Sequence, residues 1–139
     1  MEHSFKNHYA GKRVLVTGDT GFKGSWLAIW LKELGAEVRG YALEAPSEPN
    51  NFTICRLEQK ITHVHGDVRD LAKLMSVFEE FQPEIVFHLA AQALVRYSYE
   101  VPRETLETNV LGTINVLEAV RNVASVKTVV IVTSDKCYE

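Results

Sequence analysis

Strand-like and helix-like segments alternate along the whole of this 139-residue chain, which predicts an α/β fold built on a doubly wound parallel sheet. Two further observations point the same way. The runs Val14-Leu15-Val16 and Val129-Val130-Ile131 are continuously apolar, as strands covered on both faces are. Three glycines, Gly18, Gly21 and Gly24, separate the first of these runs from the first helical pattern.

Each element follows from a local pattern. Val14 to Thr17 reads as the first strand. A helix follows over Phe22 to Leu34, with Trp26, Trp30 and Leu34 spaced i, i+4, i+8 as its expected core stripe and Gly35 as its stop. Glu37 to Ala42 and Thr62 to His65 read as the second and third strands, and Glu44 to Gln59 between them is the longest irregular piece. Leu71 to Phe81 is helical and ends before Pro83, and Glu84 to Leu89 is the fourth strand. Thr105 to Asn122 reads as one long helix. Lys127 to Thr133 reads as a fifth strand, β-branched and buried on both faces. Right-handed crossovers give the strand order 3-2-1-4-5, with a ligand crevice beside strands one and four, where the order reverses.

Composition narrows the class. With 46% hydrophobic and 24% charged residues the chain supports one domain with a core. A net charge of -3 and a pI near 6.0 leave no electrostatic footprint for nucleic acid. Met1 to His8 carries no leader pattern and no apolar stretch is long enough to cross a bilayer, so a cytoplasmic protein with no membrane partner is expected. Cys55 and Cys137 stand at no redox or metal spacing and read as reduced thiols. His63, His65 and His88 fall at no recurrent metal-ligand spacing, so no metal is expected and they read as structural or surface residues.

The glycines carry the chemistry. Gly18 can turn with positive φ, Gly21 lets the main chain approach a pyrophosphate, and Gly24 lets the helix sit close to the strand. Amides at the helix start then face an anion, with the helix dipole adding about 0.3 to 2 kcal/mol. This G-x-x-G-x-x-G spacing is one residue longer than the common dinucleotide fingerprint, but its strand–loop–helix setting is that of an NAD(P)-binding Rossmann fold. Glu44, twenty residues past Gly24, is a candidate acceptor for ribose hydroxyls and would repel a 2′-phosphate. No Lys or Arg lies between Tyr41 and Pro49, which favours NAD over NADP, Arg39 being the residue able to overturn this. Asp67 and Val68 suit an adenine amino group and ring, and Leu89, Ala90 and Ala91 are small enough to let backbone approach a cofactor. Thr133-Ser134-Asp135-Lys136 sets a hydroxyl, an acid and an amine at the mouth of the crevice. This row reads as catalytic, or as a turn whose Ser and Asp bond their own backbone.

Five segments together resemble the extended short-chain dehydrogenase/reductases: Val16-Thr-Gly-Asp-Thr-Gly-Phe-Lys-Gly24, Gly66-Asp-Val-Arg-Asp70, His88-Leu-Ala-Ala-Gln92, Glu107-Thr-Asn-Val-Leu-Gly-Thr113 and Val132-Thr-Ser-Asp-Lys-Cys-Tyr138. The match runs from about Gly11 to Glu139, and within that superfamily the chain is similar to the nucleotide-sugar 4,6-dehydratases. The resemblance implies NAD, held by Gly18, Thr20, Gly21, Phe22, Lys23, Gly24, Glu44, Asp67, Val68, Leu89, Ala90, Ala91 and Asn109. It also implies a nucleotide-sugar substrate, with CDP-glucose favoured because relatives acting on dTDP-glucose and GDP-mannose carry Asp-Glu where this chain has Asp135-Lys136.

The implied chemistry is an internal redox cycle: oxidation at sugar carbon 4, loss of water across carbons 5 and 6, and return of the hydride to carbon 6. Ser134 would bond the hydroxyl at carbon 4, Asp135 would protonate the departing hydroxyl, and Lys136 would stand where relatives place the base for carbon 5. One departure is Asp19, where that branch usually has His; a carboxylate near the pyrophosphate is expected to weaken cofactor binding. The family's Tyr-x-x-x-Lys pair does not occur before Glu139. Residues 1–139 are therefore expected to be an incomplete NAD-binding domain, inactive alone, of a homo-oligomeric enzyme of deoxysugar and polysaccharide synthesis whose nucleotide-sugar domain follows. A nucleotide-sugar 4-epimerase or reductase, and a non-catalytic NAD(P)-binding sensor, remain as alternatives.

Overall fold

In a computed structural model describing residues 4–134, the apolar run Arg13–Thr17 forms strand β1 at the centre of a five-stranded sheet. Strands β2 (Glu37–Ala42) and β4 (Ile85–His88) flank it, with β3 (Thr62–His65) outside β2 and β5 (Thr128–Ile131) outside β4. All four pairings are parallel, and the order β3-β2-β1-β4-β5 is the expected one. The register sets Thr17 opposite Tyr41 on one side and His88 on the other, so the central strands end level and share one rim.

Side chains alternate across the sheet. Val14, Val16, Val38 and Ile85 pack with Ala28 and Leu31 of α1 (Phe22–Glu33). Leu15, Tyr41 and Val86 pack with Leu74 and Phe78 of α3 (Leu71–Phe81) and with Val116 of α6 (Gly112–Asn122). Helices on both faces are what right-handed crossovers from a central strand require. No helix of the described residues is long and apolar enough to cross a membrane.

Helix α1 presents a different side to the core from the one its spacing suggested. Trp26 is 53% and Trp30 48% exposed, whereas Gly24, Ser25, Ala28 and Leu31 are buried. The cause is close approach: a Cβ on Gly24 would overlap the Gly18 carbonyl, so the start of α1 is pressed against the loop below it. Only small side chains fit in that gap, and the indoles are turned outward.

Three other segments differ from expectation. Within 44–59 a short helix, α2 (Asn51–Ile54), is capped by the Asn50 side chain accepting from the Thr53 N–H at 2.8 Å, and a 3₁₀ turn follows over Leu57–Gln59. The long helix begins earlier, at Pro102, and is interrupted: α5 (Pro102–Leu106) passes into a π turn at Glu107–Leu111 before α6, and the short α4 (Val95–Glu100) precedes it. Strand β5 is shorter than expected and only half-covered, with Val130 40% exposed, because it is the edge of the described sheet.

Candidate functional site

The loop joining β1 to α1 holds its shape through backbone bonds. Gly18 has φ +81°, and a Cβ there would come within 2.8 Å of the Ala90 nitrogen, so both the turn and the neighbouring strand end require glycine. The Gly18 N–H donates to Tyr41 O at 3.0 Å and the Gly21 N–H to Gly18 O at 3.1 Å. Gly21 is the N-cap of α1 with ordinary backbone angles (φ -75°, ψ 169°) and no side chain to cap the first turn. Its contribution is thus space rather than an unusual φ. The amides of Phe22 and Lys23 lie in that uncapped first turn, which is the physical basis of an anion site. The Phe22 and Lys23 side chains themselves are exposed and Gly24 lies buried behind the loop, so these three expected residues do not line the crevice with side chains.

Above the loop the strand ends enclose a crevice. Gly18, Thr20 and Gly21 form its floor, Ala42, Leu43, Glu44 and Pro46 one wall, Gly66, Asp67 and Val68 one end, and Leu89, Ala90, Ala91 and Thr108 the other wall. Every expected cofactor contact except Phe22, Lys23, Gly24 and Asn109 is brought together here. No Lys or Arg lines it among the described residues. Arg39 does not line the crevice and packs against α3, its Nη1 2.8 Å from Glu80 and its guanidinium 4.5 Å over the Phe81 ring. Glu44 stands at the rim, its side chain 84% exposed and 3.7 Å from the His65 ring.

Asp67 is fixed by its neighbour. Arg69 donates to it from Nε at 2.9 Å and Nη2 at 2.6 Å, and these bonds hold the carboxyl below its ordinary pKa. The Tyr41 hydroxyl donates to the Asp67 carbonyl at 2.9 Å, and burial, with Asp70 and Asp67 nearby, pushes that phenol up to about 12. It therefore remains a donor. Asn115 of α6 donates to Val68 O at 2.9 Å and ties the same loop to the helix.

Behind the crevice a chain of hydrogen bonds runs through His88, and counting donors assigns its tautomer. The Thr113 hydroxyl donates to Asn109 O at 2.7 Å, so its oxygen must accept from His88 Nε2, 3.1 Å away. Nδ1 then accepts the Thr17 hydroxyl at 2.6 Å, and the Thr17 oxygen accepts the N–H groups of Leu89 and Ala90 at 3.2 Å each. Burial pushes His88 down to about 4, consistent with a neutral ring. The Asn109 side chain turns to Gln92, accepting from its N–H at 2.8 Å and donating to its carbonyl at 3.0 Å. This residue holds the loop that follows Ala91, and the adjacent Thr108 reaches the crevice in its place.

Asp19 does not face the crevice. Its side chain is fully buried beneath the loop, where it meets His63 Nδ1 at 2.7 Å from Oδ2. Ser134 lies exposed beyond β5, and the bond from Val132 N–H to His88 O, 3.1 Å, carries the chain toward the same rim. Asp135 and Lys136 lie outside the described residues. Among the described residues no three His, Cys, Asp or Glu side chains gather as metal ligands.

Residues 15–138 match the model of the GDP-mannose 4,6 dehydratase family. The chain is 58% identical over 134 residues to the CDP-glucose 4,6-dehydratase of Salmonella typhimurium, covering 96% of this chain and 37% of that protein. It is 34% identical over 120 residues to a GDP-mannose 4,6-dehydratase of Yersinia enterocolitica, covering 79% of this chain and 31% of that one. An epimerase structure from Methanothermobacter thermautotrophicus matches with a TM-score of 0.80 and 37% identity, covering 93% of this chain and 37% of its own. A UDP-glucose 4-epimerase from Stenotrophomonas maltophila, solved with bound NAD and formylated UDP-arabinopyranose, matches with a TM-score of 0.77 and 26% identity, covering 90% and 38%. The chain thus spans between 31% and 38% of the length of these proteins.

Proposed function

Because the chain belongs to the GDP-mannose 4,6 dehydratase family, we propose that it binds NAD in the service of a nucleotide-sugar 4,6-dehydratase reaction, with CDP-glucose as the substrate. The observation that carries the cofactor is the crevice: uncapped helix-start amides over Gly21, a carboxylate at each of Glu44 and Asp67, and no lining cation among the described residues. Amides suit the pyrophosphate, Glu44 suits ribose hydroxyls, and Asp67 beside Val68 suits the adenine. The 58% identity to a CDP-glucose 4,6-dehydratase supports the choice of sugar nucleotide.

When bound, NAD supplies a reversible acceptor for the hydride at sugar carbon 4. The chain's own residues handle the protons at carbons 5 and 6, while the proton lost from the carbon 4 hydroxyl would pass to the tyrosine of the family's Tyr-x-x-x-Lys pair, which does not occur in residues 1–139. In this reading Ser134 hydrogen-bonds the hydroxyl at carbon 4, Asp135 gives a proton to the hydroxyl leaving carbon 6, and Lys136 takes the proton from carbon 5. These roles rest on the order Ser134-Asp135-Lys136 in the sequence and on the resemblance that assigns them, Asp135 and Lys136 lying outside the described residues.

Residues 1–139 alone are expected to be inactive; carried in a chain of the length of its relatives and incubated with NAD and CDP-glucose, they are expected to form a CDP-4-keto-6-deoxy sugar. The similarity to epimerase structures gives the second reading a basis, and its product, a 4-epimer with carbon 6 intact, would replace the dehydratase assignment.

A further inference from the structure

A carboxylate stands inside a loop otherwise built to attract an anion, and its surroundings explain how the loop tolerates it. Three successive residues anchor the loop inward. The Gly18 N–H donates to Tyr41 O at 3.0 Å, Asp19 accepts from His63 at 2.7 Å, and the Thr20 hydroxyl donates to Leu43 O at 2.9 Å. Only the middle anchor reaches past β2 to β3. It does so over Gly40, which pairs with His63 in the sheet register and whose Cβ, if present, would overlap the Asp19 carboxylate.

The arrangement is a poor way to gain stability. Asp19 Oδ1 is buried with no hydrogen-bond partner among the described residues, and each such oxygen costs its desolvation. A buried charge behind the loop also opposes any anion in front of it. What the contact supplies is shape: with both flanking residues tied to the second strand and its extension, the bond to His63 fixes the remaining freedom of the loop. Phe52 of α2 packs edge-on against the His63 ring, 5.1 Å between centroids, and holds the donor in place.

We propose that Asp19 is a positioning residue for the cofactor pyrophosphate, bracing the glycine loop from beneath through His63 across the gap left by Gly40. This rests on the reading that the crevice takes NAD. The brace needs an acceptor at position 19 and a donor at His63 Nδ1; it does not need the negative charge.

That distinction sets the test. ADP-ribose and adenosine are titrated into the protein and its variants by calorimetry and NMR, with wild type as reference. Asp19→Asn keeps the acceptor without the charge and is expected to bind ADP-ribose within about threefold of wild type. Asp19→Ala and Gly40→Ala, which remove or displace the acceptor, are expected to lose about tenfold or more for ADP-ribose while adenosine binding is unchanged. If Asp19→Ala does not fold, Asp19→Ser, too short to reach His63 yet suited to a loop, carries the same expectation. Equal ADP-ribose affinity in Asp19→Ala and wild type overturns the brace, as does an Asp19→Asn variant as weak as the alanine. A parallel loss of adenosine marks a general structural role and overturns it too. Failure of wild type to bind ADP-ribose at all sinks the NAD reading itself, a result separate from any pattern among the variants.

Discussion

The Thr17 hydroxyl donates to Nδ1 of His88 at 2.6 Å, across the register that sets the end of β1 against the end of β4. This bond exists only while Nδ1 is bare, and burial pushes the ring's pKa down to about 4 from an ordinary 6.5. The unfolded chain therefore takes up a proton on this ring between about pH 6.5 and 4 that the native chain refuses. Stability is fully present above about 6.5 and falls as the pH drops to about 4, by about 3 kcal/mol in total. Urea unfolding of wild type and His88→Gln across this range should show the loss in wild type alone. An NMR titration that finds His88 charging near its ordinary value would remove the argument.

Gly24 and Gly21 should separate folding from binding. A Cβ on Gly24 overlaps a backbone carbonyl that cannot move aside, so Gly24→Ala should cost about 3 kcal/mol or more in a thermal melt. At Gly21 the backbone angles suit any residue and a Cβ would stand 3.3 Å from Gly18 O. Gly21→Val should therefore leave the protein folded while its side chain fills the pyrophosphate's place. Calorimetry is expected to show NAD binding abolished, and unchanged affinity would mean that the loop holds no phosphate.

Cofactor preference should follow Glu44 and not Arg39. Removing the rim carboxylate in Glu44→Ala is expected to narrow the preference for NAD over NADP by about tenfold, since the charge that repels a 2′-phosphate is gone. Arg39→Ala should leave the ratio of the two dissociation constants unchanged, because that guanidinium is engaged by Glu80 and Phe81. It should cost about 1 kcal/mol of stability from lost packing and cation–π contact.

In the complete enzyme, Asp135→Asn should lower kcat far more than it raises KM for CDP-glucose, since an acid acts on the transition state and the amide preserves shape without a transferable proton. Steady-state kinetics with the natural sugar nucleotide decide this. A change mainly in KM would make Asp135 a binding residue.

The central strand was legible because a buried parallel strand writes its burial directly as an apolar run, whereas β2 and β3 fall at the expected bounds although neither is an apolar run and no residue of β3 is buried. Helix faces were less so. The spacing of Trp26 and Trp30 marks the wrong stripe as core, because it cannot say that Gly24, on another side, presses the helix too close for indoles. The π turn at Glu107–Leu111 inserts an extra residue that a fixed period does not register, and it lets Asn109 serve Gln92 while Thr108 lines the crevice. At the strand ends the residue types pointed to the crevice and the structure gathers most of them there. The direction of Asp19 depended on a glycine and a histidine on two other strands, 21 and 44 residues away along the chain. No local pattern encodes such a meeting.

The outward turn of α1 decides what the protein's own fluorescence can report. Trp26 and Trp30 are the only tryptophans of the chain, both are about half-solvated, and both ride on the helix whose first turn is the proposed phosphate site. Their emission should already be red-shifted in the native state, accessible to a neutral quencher, and modest in its change on denaturation. A titration followed at these wavelengths is a local probe of one helix and of whatever covers it. Loss of the sheet has to be followed by another signal, such as far-ultraviolet dichroism.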